Sequence, residues 1–163
     1  TWYSEFFPGV ESDLWVGVKP FSKHKEKLGN LNIGGGIAAG NRNSTDFLVT
    51  SAAISYNYKK FWLRTEFQNA DGSNGASGLT DKKRMGYNVT LGYHLTKKLE
   101  TLIRFDDFDP DKNIGHNNQK EYSVGVNYYI LGQCARLILN YVFCQNQAKP
   151  DSHKLIVGTQ FLF

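Results

Sequence analysis

The feature that most constrains the fold is an alternation of large apolar residues with small, polar or charged ones. In the stretch RMGYNVTLGYH, residues 84–94, the apolar series is Met85, Tyr87, Val89, Leu91 and Tyr93. Successive side chains of a β-strand point to opposite faces, so a period of two predicts strands with one apolar and one polar face. A helical period is almost absent from the chain.

The same alternation recurs along most of the 163 residues. It predicts about nine strands, most of them long enough to cross a bilayer at a tilt, which takes about nine to eleven residues. We therefore predict an all-β fold, an antiparallel up-and-down transmembrane β-barrel. The predicted strands cover residues 14–19, 30–39, 47–58, 61–68, 84–94, 99–108, 121–130, 136–143 and 154–163.

The connections between the strands fall into two groups. Residues 57–60, 95–98 and 132–133 predict tight turns, whereas residues 40–46, 69–83, 108–120 and 145–153 predict longer polar loops. Short turns at one end and long loops at the other are typical of outer-membrane barrels. The sequence therefore favours a barrel in the bacterial outer membrane, surrounded by its lipid.

Directly paired residues of a hairpin must share a face of the sheet, and this requirement predicts the length of each turn. A two-residue turn at Tyr58-Lys59 would pair Tyr56 with Phe61, and both belong to apolar series. The hairpin that follows residue 94 requires a turn of odd length, such as residues 96–98. Gly132-Gln133 suits a type II′ turn.

Aromatic residues gather beside the predicted short turns. Such a band is typical of a girdle at the membrane interface, although cross-strand aromatic pairs also occur in soluble barrels. The residues are Tyr56, Tyr58, Phe61, Tyr93 and Tyr128.

The last five residues, TQFLF, carry no charge. A terminal aromatic residue preceded by alternating apolar residues is the signal that the barrel assembly machinery reads. We predict that Phe163 and Phe161 form this signal and that the machinery is a partner of the chain.

Three stretches resemble the phosphate-selective porin O and P family. They are LIRFDDFDPDKN (102–113), EYSVGVNYYILGQCARLILNY (121–141) and the terminal TQFLF. The family pattern is Arg-x-Asp-x-Phe-Asp-Pro-Asp, then Tyr-x-Val-Gly-x-Asn-Tyr-Tyr, a Gly turn and Ala-Arg-Leu-x-Leu-Asn-Tyr. The close match covers the last third of the chain.

The resemblance implies a homotrimeric porin whose barrel has around sixteen strands. It implies a water-filled channel for passive diffusion of small solutes, with a preference for anions such as phosphate or pyrophosphate. It implies neither an enzyme nor a cofactor. Nine strands are too few for such a barrel, so we expect residues 1–163 to form the C-terminal part of a larger one.

The polar face of the strands is predicted to line the pore. Arg and Lys side chains lower the barrier that an anion meets in a narrow pore. Arg–carboxylate pairs that only stiffen the barrel wall are the alternative, since acids lie two residues from several of these arginines. The predicted anion path is Arg104, Arg64, Arg84, Arg136 and Lys19, at staggered heights, and Lys154 shares their face. The predicted polar partners are Glu66, Asp106, Glu121, Asn88, Asn127 and Asn140.

Other chemistry finds little support. The four histidines have no metal-ligand spacing, which predicts solvated side chains and no metal site. Asp109-Pro110-Asp111-Lys112 predicts a simple turn. The glycine-rich LNIGGGIAAG (31–40) predicts a strand that needs close packing, since no helix follows it.

The mild basic excess, a formal charge of +4, does not indicate a nucleic-acid partner. Three functional alternatives to a porin stay open. One is a membrane-embedded enzyme barrel. The second is a structural or adhesive outer-membrane barrel, or a barrel component of a larger envelope assembly. The third is a soluble ligand-binding barrel.

Overall fold

The computed structural model describes residues 11–42, 45–72, 82–132 and 134–162. Within these ranges the chain forms one antiparallel sheet of nine strands in sequence order. The strands are β1 (Glu11–Val18), β2 (Asn30–Arg42), β3 (Thr45–Tyr58), β4 (Phe61–Asp71), β5 (Lys83–His94), β6 (Leu99–Asp109), β7 (Gln119–Tyr129), β8 (Ala135–Asn146) and β9 (Ser152–Phe161).

Every strand pairs with its neighbours along the chain, which confirms the predicted all-β, up-and-down arrangement. The helical structure in the described residues is a 3₁₀ turn at Ser22–His24 and the short helix α1 at Lys25–Leu28. No helix among them is long and apolar enough to cross a membrane.

The strand register places the apolar series on one face. Val89 pairs with Phe105, which in turn pairs with Tyr122. One residue along, Asn88 pairs with Asp106 on the opposite face. Directly paired residues share a face, so the two series stay separate across the sheet.

The apolar face is open to its surroundings. Val157 is 75% exposed and Leu155 is 70% exposed. Among the described residues, the buried apolar side chains are few: Phe47, Tyr129, Ala135 and Val142. A contiguous apolar surface of this kind is unusual on a soluble monomer and is what lipid would cover.

Aromatic residues lie near both ends of the apolar face. Tyr93 and Tyr128 lie beside the short turns, as predicted for a girdle. Toward the other end, Tyr122 has its ring 5.1 Å from that of Phe105 and 6.2 Å from that of Phe143. The sequence prediction found only the first of these two bands.

The β3–β4 turn was predicted with the wrong offset. Tyr58 pairs with Phe61 and Tyr56 pairs with Leu63, so the turn is Lys59-Lys60. Lys59 has a φ of +54°, the left-handed region that a tight turn requires. The predicted shift of two residues keeps the faces correct, and parity alone could not detect it.

The other two turns agree with prediction. His94 pairs with Glu100, which leaves an odd number of residues in the β5–β6 turn. The Cys134 amide donates to the Leu131 carbonyl at 3.0 Å, and Gly132 has a φ of +56°. These features fit the predicted turn, although Gln133 lies outside the described residues and the turn type stays a prediction.

Two connections depart from the predicted sorting of loops. Arg42 pairs with Thr45, so the long loop predicted at residues 40–46 is wrong and β2 and β3 form a tight hairpin. Residues 19–29 make a longer connection at the short-turn end. The loop at residues 40–46 was predicted too long because these residues are polar, although most of them belong to paired strands.

Two tryptophans pack against glycines on the polar face. A Cβ on Gly34 would lie 2.6 Å from Cζ2 of Trp15, and one on Gly36 would lie 2.6 Å from its Cε3. This confirms the expectation that the glycine-rich strand, β2, serves close packing. The indole of Trp62 covers Gly92 in the same way.

Of the two residues of the predicted assembly signal, the structure describes Phe161. Phe161 is the last residue of β9, and its exposed ring lies opposite Ala135. Phe163 lies outside the described residues. The role of both residues in assembly stays a prediction.

Neighbouring residues Ser123 and Val124 test the face assignment. Val124 is 52% exposed on the apolar face, whereas Ser123 points the other way. We expect a spin label at position 124 to collide with lipid-dissolved oxygen. A label at position 123 should collide with a water-soluble nickel chelate. The reverse result would mean that the register is shifted by one residue.

Candidate functional site: the polar wall of the sheet

The polar face carries its charges in two neighbouring rows that run across the strands. The first, here called the basic row, contains Arg64, Thr90 and Arg104. Both arginines pair with Thr90, and Arg104 also pairs with Ser123. The row continues through Val142 to Lys154 on β9.

Lys19 extends the basic row at its other end. It follows Val18, which pairs with Ile33, so it stands beside Asn32, whose partner Ser55 pairs with Arg64. The register puts Arg64 and Arg104 on one row, separated by a single strand or about 10 Å between Cα atoms. Because barrel strands are tilted, residues of one row still differ in height, and the staggered path stays a prediction.

The second row, the acidic row, lies two residues farther from the short turns. Glu66 pairs with Asn88, Asn88 with Asp106, and Asp106 with Glu121. The Asn88 amide donates to Glu66 Oε2 at 3.4 Å. Each carboxylate of this row therefore has a basic residue two positions away on its own strand or diagonally across.

Two of these carboxylates are held by cations. The Arg104 Nε donates to both oxygens of Asp106, at 3.0 and 2.8 Å, and its Nη2 also donates to Oδ1. Lys154 Nζ donates to Glu121 Oε1 at 2.8 Å. The thiol of Cys144 lies 3.2 Å from the same oxygen.

Three arginines of the polar face make no ion pair with any described residue: Arg64, Arg84 and Arg136. The guanidinium of Arg64 lies 5.1 Å from the ring centre of Trp62. The Arg136 Nε donates to the neutral Gln160 Oε1 at 2.7 Å. Within the part of the chain that is described, no carboxylate therefore neutralises these three guanidinium groups by direct contact.

A buried carboxylate, Glu100, lies at the short-turn end of the same face and was missed by the sequence prediction. It is 3% exposed. Its Oε1 accepts from Asn127 Nδ2 at 2.7 Å and from the Tyr129 hydroxyl at 3.1 Å. Its Oε2 accepts from Trp62 Nε1 at 2.9 Å.

His94 completes this group, the Glu100 cluster, which consists of Trp62, His94, Glu100, Asn127 and Tyr129. Its Nε2 lies 3.1 Å from Glu100 Oε2, while its side chain is 37% exposed, so His94 is solvated as predicted and also has a carboxylate partner. Face parity alone would have placed Glu100 and His94 on the pore side. Their convergence depends on four strands and carries no local signal.

The asparagines predicted as pore partners have different roles. Asn127 is 4% exposed and belongs to the Glu100 cluster. Asn140 packs over Gly125, and its Oδ1 is buried without a hydrogen-bond partner among the described residues. All three asparagines border the groove over this wall, and of the three Asn88 lies in the acidic row.

The remaining candidates for chemistry stay minor. No group of three or more His, Cys, Asp or Glu residues in the described ranges could hold a metal ion. Both cysteines are free. Asp109 Oδ1 accepts from the Asp111 amide at 3.0 Å, and Asp111 Oδ1 accepts from the Asn113 amide at 3.1 Å, as a simple turn requires.

A groove of about 570 Å³ runs over this wall, and three of its lining residues are Arg64, Arg104 and Arg136. It also borders the Glu100 cluster. Positive groups above a hydrogen-bonded wall can bind or pass an anion.

Glu100→Gln tests the importance of the buried carboxylate. Glutamine offers one acceptor oxygen and turns an NH₂ group toward other donors. We expect a loss of about 1–3 kcal/mol in the free energy of unfolding. The measurement is guanidinium unfolding in detergent, followed by far-UV circular dichroism.

Glu66→Gln is the matched control, since Glu66 is exposed and accepts one long hydrogen bond. Its effect should stay within about 0.5 kcal/mol. Equal unfolding midpoints for the two variants would contradict a special role for Glu100.

Comparison with known proteins agrees with this architecture. The family model described as phosphate-selective porin O and P matches residues 30–163. No curated protein matches the chain. A solved structure described as "Unveiling the Mechanism Behind the in-meso Crystallization of Membrane Proteins" is 12% identical, with 95% of this chain and 82% of that chain covered. Its TM-score of 0.43 is too low to carry an argument.

Members of the matched family are outer-membrane channels of Gram-negative bacteria rather than a class of enzymes. The apolar face is then the lipid-facing side of a transmembrane β-barrel. Because the family model covers more than half of its residues, the chain belongs to the phosphate-selective porin O and P family.

Proposed function

We propose that the polar wall lines a water-filled pore through which small anions diffuse passively, with phosphate or pyrophosphate preferred. The observation that carries this proposal is the state of Arg64, Arg84 and Arg136. None of them makes an ion pair with a described residue, although each lies on the polar face.

The distribution of negative charge supports the same proposal. Asp106 is matched by Arg104, and Glu121 by Lys154. Glu66 and Glu100 make no ion pair with a described Lys or Arg residue, so these two acids stand against the three arginines named above. The uncompensated charge along the wall is therefore mainly positive, which lowers the energy of an anion in a narrow pore and raises that of a cation.

The guanidinium group suits oxyanions in particular. It presents several N–H donors in a planar fork that matches two oxygens of one phosphate. The Nε and Nη2 donors of Arg104 are already hydrogen-bonded to Asp106. Arg64 therefore has more donors available to a solute than Arg104, which the sequence had placed at the centre of the path.

We also propose that the nine strands belong to a larger barrel that assembles as a homotrimer through the barrel assembly machinery. Strands β1 and β9 do not pair with each other within the described residues. Each therefore leaves a row of backbone groups that must be satisfied inside a bilayer. Further strands of the same porin would pair with both edges.

Arg64→Gln tests the anion path. The variant should lower the anion-to-cation permeability ratio several-fold, since one charge at about 4 Å contributes about 1 kcal/mol even in bulk water and more in a confined pore. The measurement is the reversal potential of the intact porin across a salt gradient in planar bilayers.

The double variant Arg104→Gln, Asp106→Asn is the matched control. It removes one cation and one anion from the same region, so the ratio should stay close to the wild-type value. A wild-type channel without anion preference, or an unchanged ratio in Arg64→Gln, would overturn the proposed function.

A further inference from the structure

We propose that Trp62 is a positioning residue that keeps Arg64 away from Glu66 and open to the pore, and that Glu100 fixes Trp62 for this task. The inference rests on the proposed function, since it concerns an arginine of the proposed anion path.

Two strands offer a built-in comparison. On β4 the pore-facing residues are Trp62, Arg64 and Glu66. On β6 they are Leu102, Arg104 and Asp106. The register sets these series side by side, because Gly92 pairs with both Trp62 and Leu102, Thr90 with both arginines, and Asn88 with both acids.

The arginines of the two series behave differently. Arg104 turns to the acid two residues ahead and makes three close contacts with Asp106. Arg64 makes no ion pair with Glu66, although the spacing is the same. It lies against the residue two positions behind, with its guanidinium carbon 5.1 Å from the Trp62 ring centre.

The residue behind the arginine explains the difference. An indole offers a flat, electron-rich face that attracts a guanidinium group, whereas leucine at position 102 offers nothing comparable. Stacking uses the face of the guanidinium and leaves its N–H edges free. Arg64 is thus ordered and still able to donate to an anion.

Trp62 is itself held from two sides. Its ring covers Gly92, where any Cβ would overlap the indole. Its Nε1 donates to Glu100 Oε2 at 2.9 Å. Glu100 is fixed in turn by Asn127 and Tyr129, so the plane of the indole is set by residues on three strands other than its own.

A double-mutant cycle tests this arrangement. Trp62→Leu makes β4 resemble β6, so Arg64 should turn to Glu66. The anion-to-cation permeability ratio should then fall, and the decrease should be at least half as large as the decrease in Arg64→Gln. In a Glu66→Gln background the same Trp62→Leu change should have almost no effect, because no carboxylate is present to capture Arg64.

Two further variants separate positioning from general packing. Trp62→Phe keeps an aromatic face and should retain most of the ratio. Trp15→Leu alters the other tryptophan that packs on glycines of the polar face and should leave the ratio unchanged. Should Trp62→Leu fail to assemble, Trp62→Met completes the same cycle with a longer, non-aromatic side chain.

The failures of the two proposals differ. A wild-type channel without anion preference overturns the proposed function. The positioning role alone is overturned if the channel is anion-selective and Arg64→Gln lowers the permeability ratio, but Trp62→Leu leaves that ratio unchanged. The positioning role is also overturned if Trp62→Leu lowers the permeability ratio equally in the wild-type and the Glu66→Gln backgrounds. The substitution would then not act through the capture of Arg64 by Glu66.

Discussion

The antiparallel register is the constraint on which the rest of this wall depends. Inside a bilayer the backbone N–H and C=O groups have no water to bond, so each strand must satisfy them through its neighbours. Directly paired residues share a face, and a shift by one residue would exchange the two faces of a strand. One set of backbone bonds therefore places Val124 on the apolar face and Ser123 on the polar face, and it aligns Arg64, Thr90 and Arg104 in a row.

Once the rows are fixed, side-chain chemistry decides which charges remain available. The basic and acidic rows lie side by side, so every cation near them has a carboxylate within reach. Arg104 pairs with Asp106, whereas Arg64 stacks on Trp62. A formal count of charges would treat the two arginines alike. Their difference arises from one neighbour, an indole on β4 and a leucine on β6.

The Glu100 cluster shows the requirement that burial imposes on a charge. A carboxylate removed from water is costly unless hydrogen bonds replace its hydration. Glu100 receives donors from β4 and β7, and His94 of β5 lies beside it. The same bonds that stabilise the charge connect four strands near the short turns. Removal of the carboxylate would therefore disturb both the wall and the orientation of Trp62.

The sequence by itself determined the strands, their two faces and the parity of their turns, because a period of two is a local property of the chain. It did not determine how far paired strands are offset, so the partner of Tyr56 and the length of the β2–β3 connection were predicted wrongly. Nor could it show that Glu100 and His94 meet or that Asp106 captures Arg104. Those contacts join side chains from different strands or depend on rotamers, and only the tertiary structure brings the competing partners within reach of one another.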